Sequence, residues 1–149
     1  MAILTDDFED LAVKNHGTRI ERPHFILDVP SNTGTTLAAV KDPLTEINKG
    51  IWVKYAWGSH MGEYDELTIT LKSDSVTSIG FVNYRTTAGD PCRFYDAGGK
   101  QLGSAKLPAK SLVPVVCSSA AAPIKVIKVS VAGGPGAFVA FDDFVIETL

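Results

Sequence analysis

Apolar and polar residues alternate at a period of two along much of this chain, interrupted roughly every 8–15 residues by glycine, proline or short polar clusters. The alternation is strictest in Leu67-Thr68-Ile69-Thr70-Leu71. A polar turn, Lys72-Ser73-Asp74-Ser75, separates that segment from a second strand over Val76–Tyr84, with Ile79 and Phe81 on one side. Cys92–Tyr95 and Leu102–Leu107 flank Asp96-Ala97-Gly98-Gly99-Lys100, whose glycines can take the positive φ of a hairpin turn. Further strands are predicted at Val113–Cys117, where Pro114 favours an edge, at Ile124–Val131 and at Ala137–Thr148. The first half is less regular, with strands expected at Phe25–Leu27, Thr36–Val40 and Gly50–Trp57. One turn of helix is expected at Asp42–Asn48, and nothing longer has a helical period. Roughly eight to ten short strands read as an antiparallel sandwich or barrel.

One break in the alternation carries information. Val139 and Phe141 share a face, whereas Phe144 and Ile146 fall on the opposite parity. Keeping all four on the core side requires an extra residue at Asp142-Asp143, which predicts a β-bulge. Two adjacent carboxylates between phenylalanines need polar partners or a cation unless they form a solvated turn. A second acid cluster, Asp6, Asp7, Glu9 and Asp10, surrounds Phe8 near the start. Carboxylates this dense must be exposed or bound to something positive. Hard oxygens of this kind suit Ca²⁺, and first and last strands of a sandwich are often neighbours, so the two clusters could share one ion.

Composition narrows the function classes. The chain has 149 residues, 45% apolar and 21% charged, which fits a single domain over 1–149. Fourteen basic against seventeen acidic residues give a net charge of −3 without a basic cluster, so nucleic acid is not an expected partner. No apolar run approaches the ~20 residues of a membrane span, so membrane insertion is not expected either. The first residues lack the basic region of a signal peptide, which leaves the compartment open. Cys92 and Cys117 match neither a zinc motif nor C-x-x-C; one bridge or two buried thiols both fit. His16 and His24, with Arg19 and Arg22 between them, are a weak transition-metal pair and read more simply as surface histidines.

Four of the six Trp and Tyr residues lie between Ile51 and Tyr64. Sugar rings stack apolar C–H faces on aromatic planes, while neighbouring polar groups bond their hydroxyls. Trp57, His60 and Tyr64, in a glycine-flanked loop with Glu63 and Asp65 nearby, are candidates for such a site. By parity Tyr55 and Trp57 share a face with Ile51 and Val53 and would equally serve as core, whereas Trp52 has the opposite parity of an outward platform. Tyr84 and Arg85 head a second polar stretch, 83–91, which also reads as a solvated loop. No nucleophile elbow, zinc-protease motif or P-loop occurs, so an enzyme is not expected.

Asp7-Phe8-Glu9-Asp10, Val76-Thr77-Ser78-Ile79-Gly80-Phe81, the course from Arg93 to Gly103, and Phe141-Asp142-Asp143-Phe144-Val145-Ile146 together resemble galactose-binding-like jelly-roll domains, which include many carbohydrate-binding modules. The likeness rests on residues 65–149 and the short motif at 5–10; residues 11–64 add nothing to it. It implies an all-β, antiparallel two-sheet jelly-roll β-sandwich. It also implies a structural Ca²⁺ held by Glu9 and Asp142, with Asp7 and Asp143 as secondary ligands. The expected function is a non-catalytic, lectin-like carbohydrate-binding module, extracellular or surface-associated, with a glycan or polysaccharide as partner. Its candidate ligand-binding residues are Trp52, Trp57, His60, Tyr64, Tyr84 and Arg85. The same sandwich hosts other functions. One alternative is an assembly or protein-interaction domain, with Trp52 and Trp57 buried between copies of an oligomer. Another is a small glycan-active enzyme with two carboxylates ~5–10 Å apart in a cleft.

Overall fold

A computed structural model describes residues 1–8, 10–12, 14–29, 36–42, 47–54, 66–85, 92–106, 113–130 and 138–149. Its strands, in chain order, begin with β1 (Ala2–Asp6), β2 (Asn15–Gly17), β3 (Arg19–Glu21) and β4 (Phe25–Asp28). Next come β5 (Thr36–Asp42), β6 (Ile47–Lys54), β7 (Glu66–Leu71) and β8 (Val76–Arg85). β9 (Cys92–Tyr95), β10 (Gln101–Ala105), β11 (Val113–Ser118), β12 (Val126–Ser130) and β13 (Phe138–Thr148) complete them. They form two antiparallel sheets, one ordered β11-β8-β13-β6-β5-β2 with β1 also on β13, the other β10-β9-β12-β7-β4-β3. This is the jelly-roll β-sandwich that the strand pattern and the resemblance predict.

The period-two pattern explains the layers. In β7 the residues Leu67, Ile69 and Leu71 are buried while their neighbours are half-exposed, so one face of the strand closes on the core. The facing residues of the two sheets form one apolar cluster that includes Phe25, Leu27, Phe81, Phe94, Phe141 and Phe144. Pro114 sits in β11, the edge strand paired with β8, the kind of position where proline is tolerated. In the β9–β10 hairpin, Gly99 takes φ 88° and Asp96 Oδ1 accepts from the Gly98 and Lys100 amides. The helical turn expected at Asp42–Asn48 is not seen at its ends: Asp42 closes β5, Ile47 opens β6, and the two pair; residues 43–46 lie outside the described residues. The β5–β6 ladder shifts register between Val40 and Asp42 and then resumes with this pair, and a single turn of helix offers little against it.

Strand β13 carries the bulge. Asp142 pairs with Val82 and Val145 with Gly80, so three steps along β13 oppose two along β8. Asp143 absorbs the excess at φ 52°, a left-handed conformation that Asp tolerates better than most residues. As a result Phe141, Phe144 and Ile146 are all buried.

Candidate functional site

The bulge coincides with a change of neighbours. β8 runs along one edge of β13 throughout. On the other edge, β6 pairs with Phe138–Phe141 and β1 pairs with Phe144–Thr148, Asp6 lying opposite Phe144. Head and tail of the chain therefore meet side by side, and Asp142-Asp143 falls in the gap between β6 and β1. A hollow of about 590 Å³ opens there, lined by Thr5, Asp6, Asp7, Asp10, Arg22 and Asp143 among others.

Arg22 organises this end of the sandwich. Its Nε donates to Asp6 Oδ2 at 2.7 Å and its Nη2 to Asp6 Oδ1 at 2.8 Å, a two-pronged pair with side chains only 8% and 5% exposed. Nη2 also reaches Asp10 Oδ1 at 2.6 Å, although Asp10 is largely exposed. Asp6 Oδ1 further accepts from the Phe8 amide at 3.0 Å, and Phe8 turns the chain at φ 59°. That strained backbone is offset by a fully buried ring, edge-on to Phe25 and Phe144 at centroid distances of 6.0 and 5.6 Å, with the guanidinium over it at 5.4 Å. The Asp6 hydrogen bond, working against burial and helped by Asp10, pushes the Arg22 pKa further up and keeps it cationic. The positive charge that Asp6 and Asp10 require thus comes from a side chain. Arg22 was legible only indirectly: it shares the parity of buried Ile20, while the acids it neutralises lie twelve and sixteen residues earlier.

Asp7 and Asp143 line the same hollow and are exposed; the placement of Glu9 and of the Asp142 side chain lies outside what is described. Among the described residues no three of His, Cys, Asp and Glu are grouped to hold a metal. Ca²⁺ needs six to eight oxygens, and both Asp6 oxygens are engaged by Arg22. A calcium ion here would draw on Asp7, Asp143 and main-chain carbonyls, with Glu9 and Asp142 beside them in the chain. His16 Nε2 lies 2.9 Å from the Ala12 carbonyl oxygen, a local contact.

A second hollow, a groove of about 410 Å³, shares Asp143 and Val145 with the first and lies on the outer face of the seven-stranded sheet. Its floor is the row Val116, Gly80, Val145, in register across β11, β8 and β13. A Cβ on Gly80 would sit 3.7 Å from Val116 Cγ2, so the bare glycine leaves the floor open between two valines that are 62% and 41% exposed. The next row is Pro114, Val82 and Asp142.

One row beyond that, Ala140 pairs with Tyr84 of β8 on one side and with Trp52 of β6 on the other. The flanking rows contain buried Leu37 and Phe141, so the Trp52–Ala140–Tyr84 row belongs to the face away from the core. The two aromatic positions are two strands apart, about 9.5 Å at ordinary strand spacing. Arg85 pairs with Val139, on the adjacent register row. Successive strand residues alternate faces, which a loop reading of 83–91 did not allow for. Trp57, His60 and Tyr64 lie outside the described residues.

No protein-family model matches the chain, and no curated protein is detectably similar in sequence. Solved structures do match over nearly the whole length. A cleaved adhesin domain of Lys-gingipain aligns with a TM-score of 0.64 at 10% identity, covering 99% of this chain and 100% of that one. A variant of the family 29 carbohydrate-binding module CBM29-2 aligns with a TM-score of 0.60 at 13% identity, covering 99% and 93%. Another variant of the same module, complexed with mannohexaose, aligns with a TM-score of 0.56 at 12% identity, covering 98% and 92%. The chain has the jelly-roll fold of carbohydrate-binding modules.

Proposed function

We propose that this chain is a non-catalytic, extracellular or surface-associated carbohydrate-binding module that holds a glycan against the outer face of its seven-stranded sheet. The observation that supports this most is the register row Trp52–Ala140–Tyr84, two aromatic positions flanking a small residue beside the open Gly80 groove. Aromatic faces would take the C–H faces of sugar rings, and the groove would pass the chain of rings toward Asp143, whose carboxylate can accept hydroxyl hydrogen bonds. The likeness to a module complexed with mannohexaose makes hexose oligosaccharides the first ligands to try.

The test is a glycan array followed by calorimetric titration of the best oligosaccharide with wild type, Trp52→Ala and Tyr84→Ala. Each substitution should weaken binding at least about tenfold, or about 1.4 kcal/mol, with the thermal midpoint little changed. Prolonged incubation should release no shorter sugars. A folded protein without any glycan signal that self-associates through this face would instead favour the assembly reading.

A structural Ca²⁺ at the head–tail hollow is proposed with it, supported by Asp7 and Asp143 lining one space with Glu9 and Asp142 adjacent in the chain. It would tie the ends together and stabilise the folded state by mass action.

A further inference from the structure

The two cysteines lie in different sheets and meet inside the core. Cys92 is on β9 of the six-stranded sheet, Cys117 on edge strand β11 of the seven-stranded sheet. Both are completely buried, and their Sγ atoms are 3.7 Å apart. Three uses of such a pair can be compared. A metal centre needs more soft ligands, and no third His, Cys, Asp or Glu is grouped with them among the described residues. A reactive thiol needs access and a depressed pKa, yet Cys117 is shut in the core and its pKa is pushed up, first by contact with Cys92 and then by burial. A cross-link needs the sulfurs about 1.6 Å closer, and the two are already in side-chain contact across the sheets.

We propose that Cys92 and Cys117 form an intramolecular disulfide that staples the two sheets together when the chain folds in an oxidising medium. The oxidant is a low-molecular-weight disulfide such as oxidised glutathione. One cysteine thiolate attacks it and releases one reduced glutathione; the second thiolate attacks the mixed disulfide and releases another, so two thiol protons and two electrons leave the protein. The reaction belongs to folding, before the core closes, because the finished sandwich excludes both oxidant and reductant from this point. The staple holds β11, which otherwise pairs with β8 along one edge, against the opposite sheet.

The experiment is refolding of the full chain from urea, either with a glutathione redox buffer or with dithiothreitol, followed by alkylation in denaturant and intact-mass and peptide analysis. After oxidative refolding the monomer should have lost two hydrogens, take up no alkylating agent, and yield a Cys92–Cys117 linked peptide that reductant splits. After reductive refolding it should take up two alkyl groups in denaturant and almost none while native. The oxidised form should melt about 7–14 °C above the reduced form. The Cys92→Ala/Cys117→Ala variant should melt identically in both buffers. Two free thiols after oxidative refolding, stable glutathione adducts, or disulfide-linked dimers would each overturn the proposal, as would a bond that lowers the melting point.

Discussion

Replacing Arg22 by Met gives the sharpest test of what ties β1 to the opposite sheet. Methionine keeps the apolar stem but removes the guanidinium, leaving the Asp6 carboxylate, 5% exposed, with the Phe8 amide as its remaining described partner. Removing one member of a buried ion pair costs ~3–5 kcal/mol, because the other charge stays desolvated. Loss of the cation from the Phe8 face adds roughly 0.5–2 kcal/mol. The Asp10 arm contributes little by comparison: Asp10 is 75% exposed, so Asp10→Ala should cost under about 1 kcal/mol. For a domain of about 150 residues, each kcal/mol moves the melting point by ~2–4 °C, so Arg22→Met should lower it by roughly 7–28 °C. Urea unfolding at constant m-value, followed by calorimetry, measures both quantities. Adding Asp6→Leu to Arg22→Met should restore much of the loss, since two apolar side chains can replace a buried pair. The reasoning is refuted if Arg22→Met costs no more than Asp10→Ala, or if the double variant is worse than the single one.

Other consequences are equally direct. Gly103→Ala would bring a Cβ to 2.6 Å from Phe94 Cζ, whose ring is almost buried, so urea unfolding should show a loss of ~1–3 kcal/mol. Gly98→Ala, whose Cβ meets Asp96 Oδ1 at an ordinary 3.5 Å, should be much milder in the same assay. Chelation with EDTA should lower the melting point and excess Ca²⁺ restore it, with the response lost in Asp7→Asn/Asp143→Asn; identical melting curves would end the calcium reading. Deleting Asp143 would turn Phe144 and Ile146 to the outer face, so cooperative unfolding should disappear from both circular dichroism and calorimetry.

Period-two alternation made the second half of the chain legible, because Leu67–Leu71 and Val76–Tyr84 each bury one face on a common core. The bulge was legible for the same reason: a parity switch between Phe141 and Phe144 has one simple solution when both rings are buried. The short strands β1, β2 and β3 were not, since three to five residues with one or two inward side chains leave no periodic signal. Register is a long-range property, so the meeting of Trp52 and Tyr84 across Ala140 could not be read from spacing along the chain. Arg22 escaped for a related reason. Its partner Asp6 lies sixteen residues away, on β1 of the other sheet, so the packing of the two sheets turns a local excess of acid into a buried ion pair.

The bulge ties stability and candidate binding surface to one position. Without the extra residue, β13 could not present Phe141 to the core before Asp142 and Phe144 and Ile146 after it. With it, the two carboxylates stand where β6 ends its pairing and β1 begins, which is why the hollow opens at that point of an otherwise continuous sheet. Asp143 consequently lines both the acidic hollow and the apolar groove. A ligand lying along the groove would approach the junction of β1 with β13, where Arg22 anchors β1 through Asp6. Binding on that face should therefore raise the unfolding free energy of the head–tail junction, and slower amide exchange in β1 on adding oligosaccharide would register that coupling.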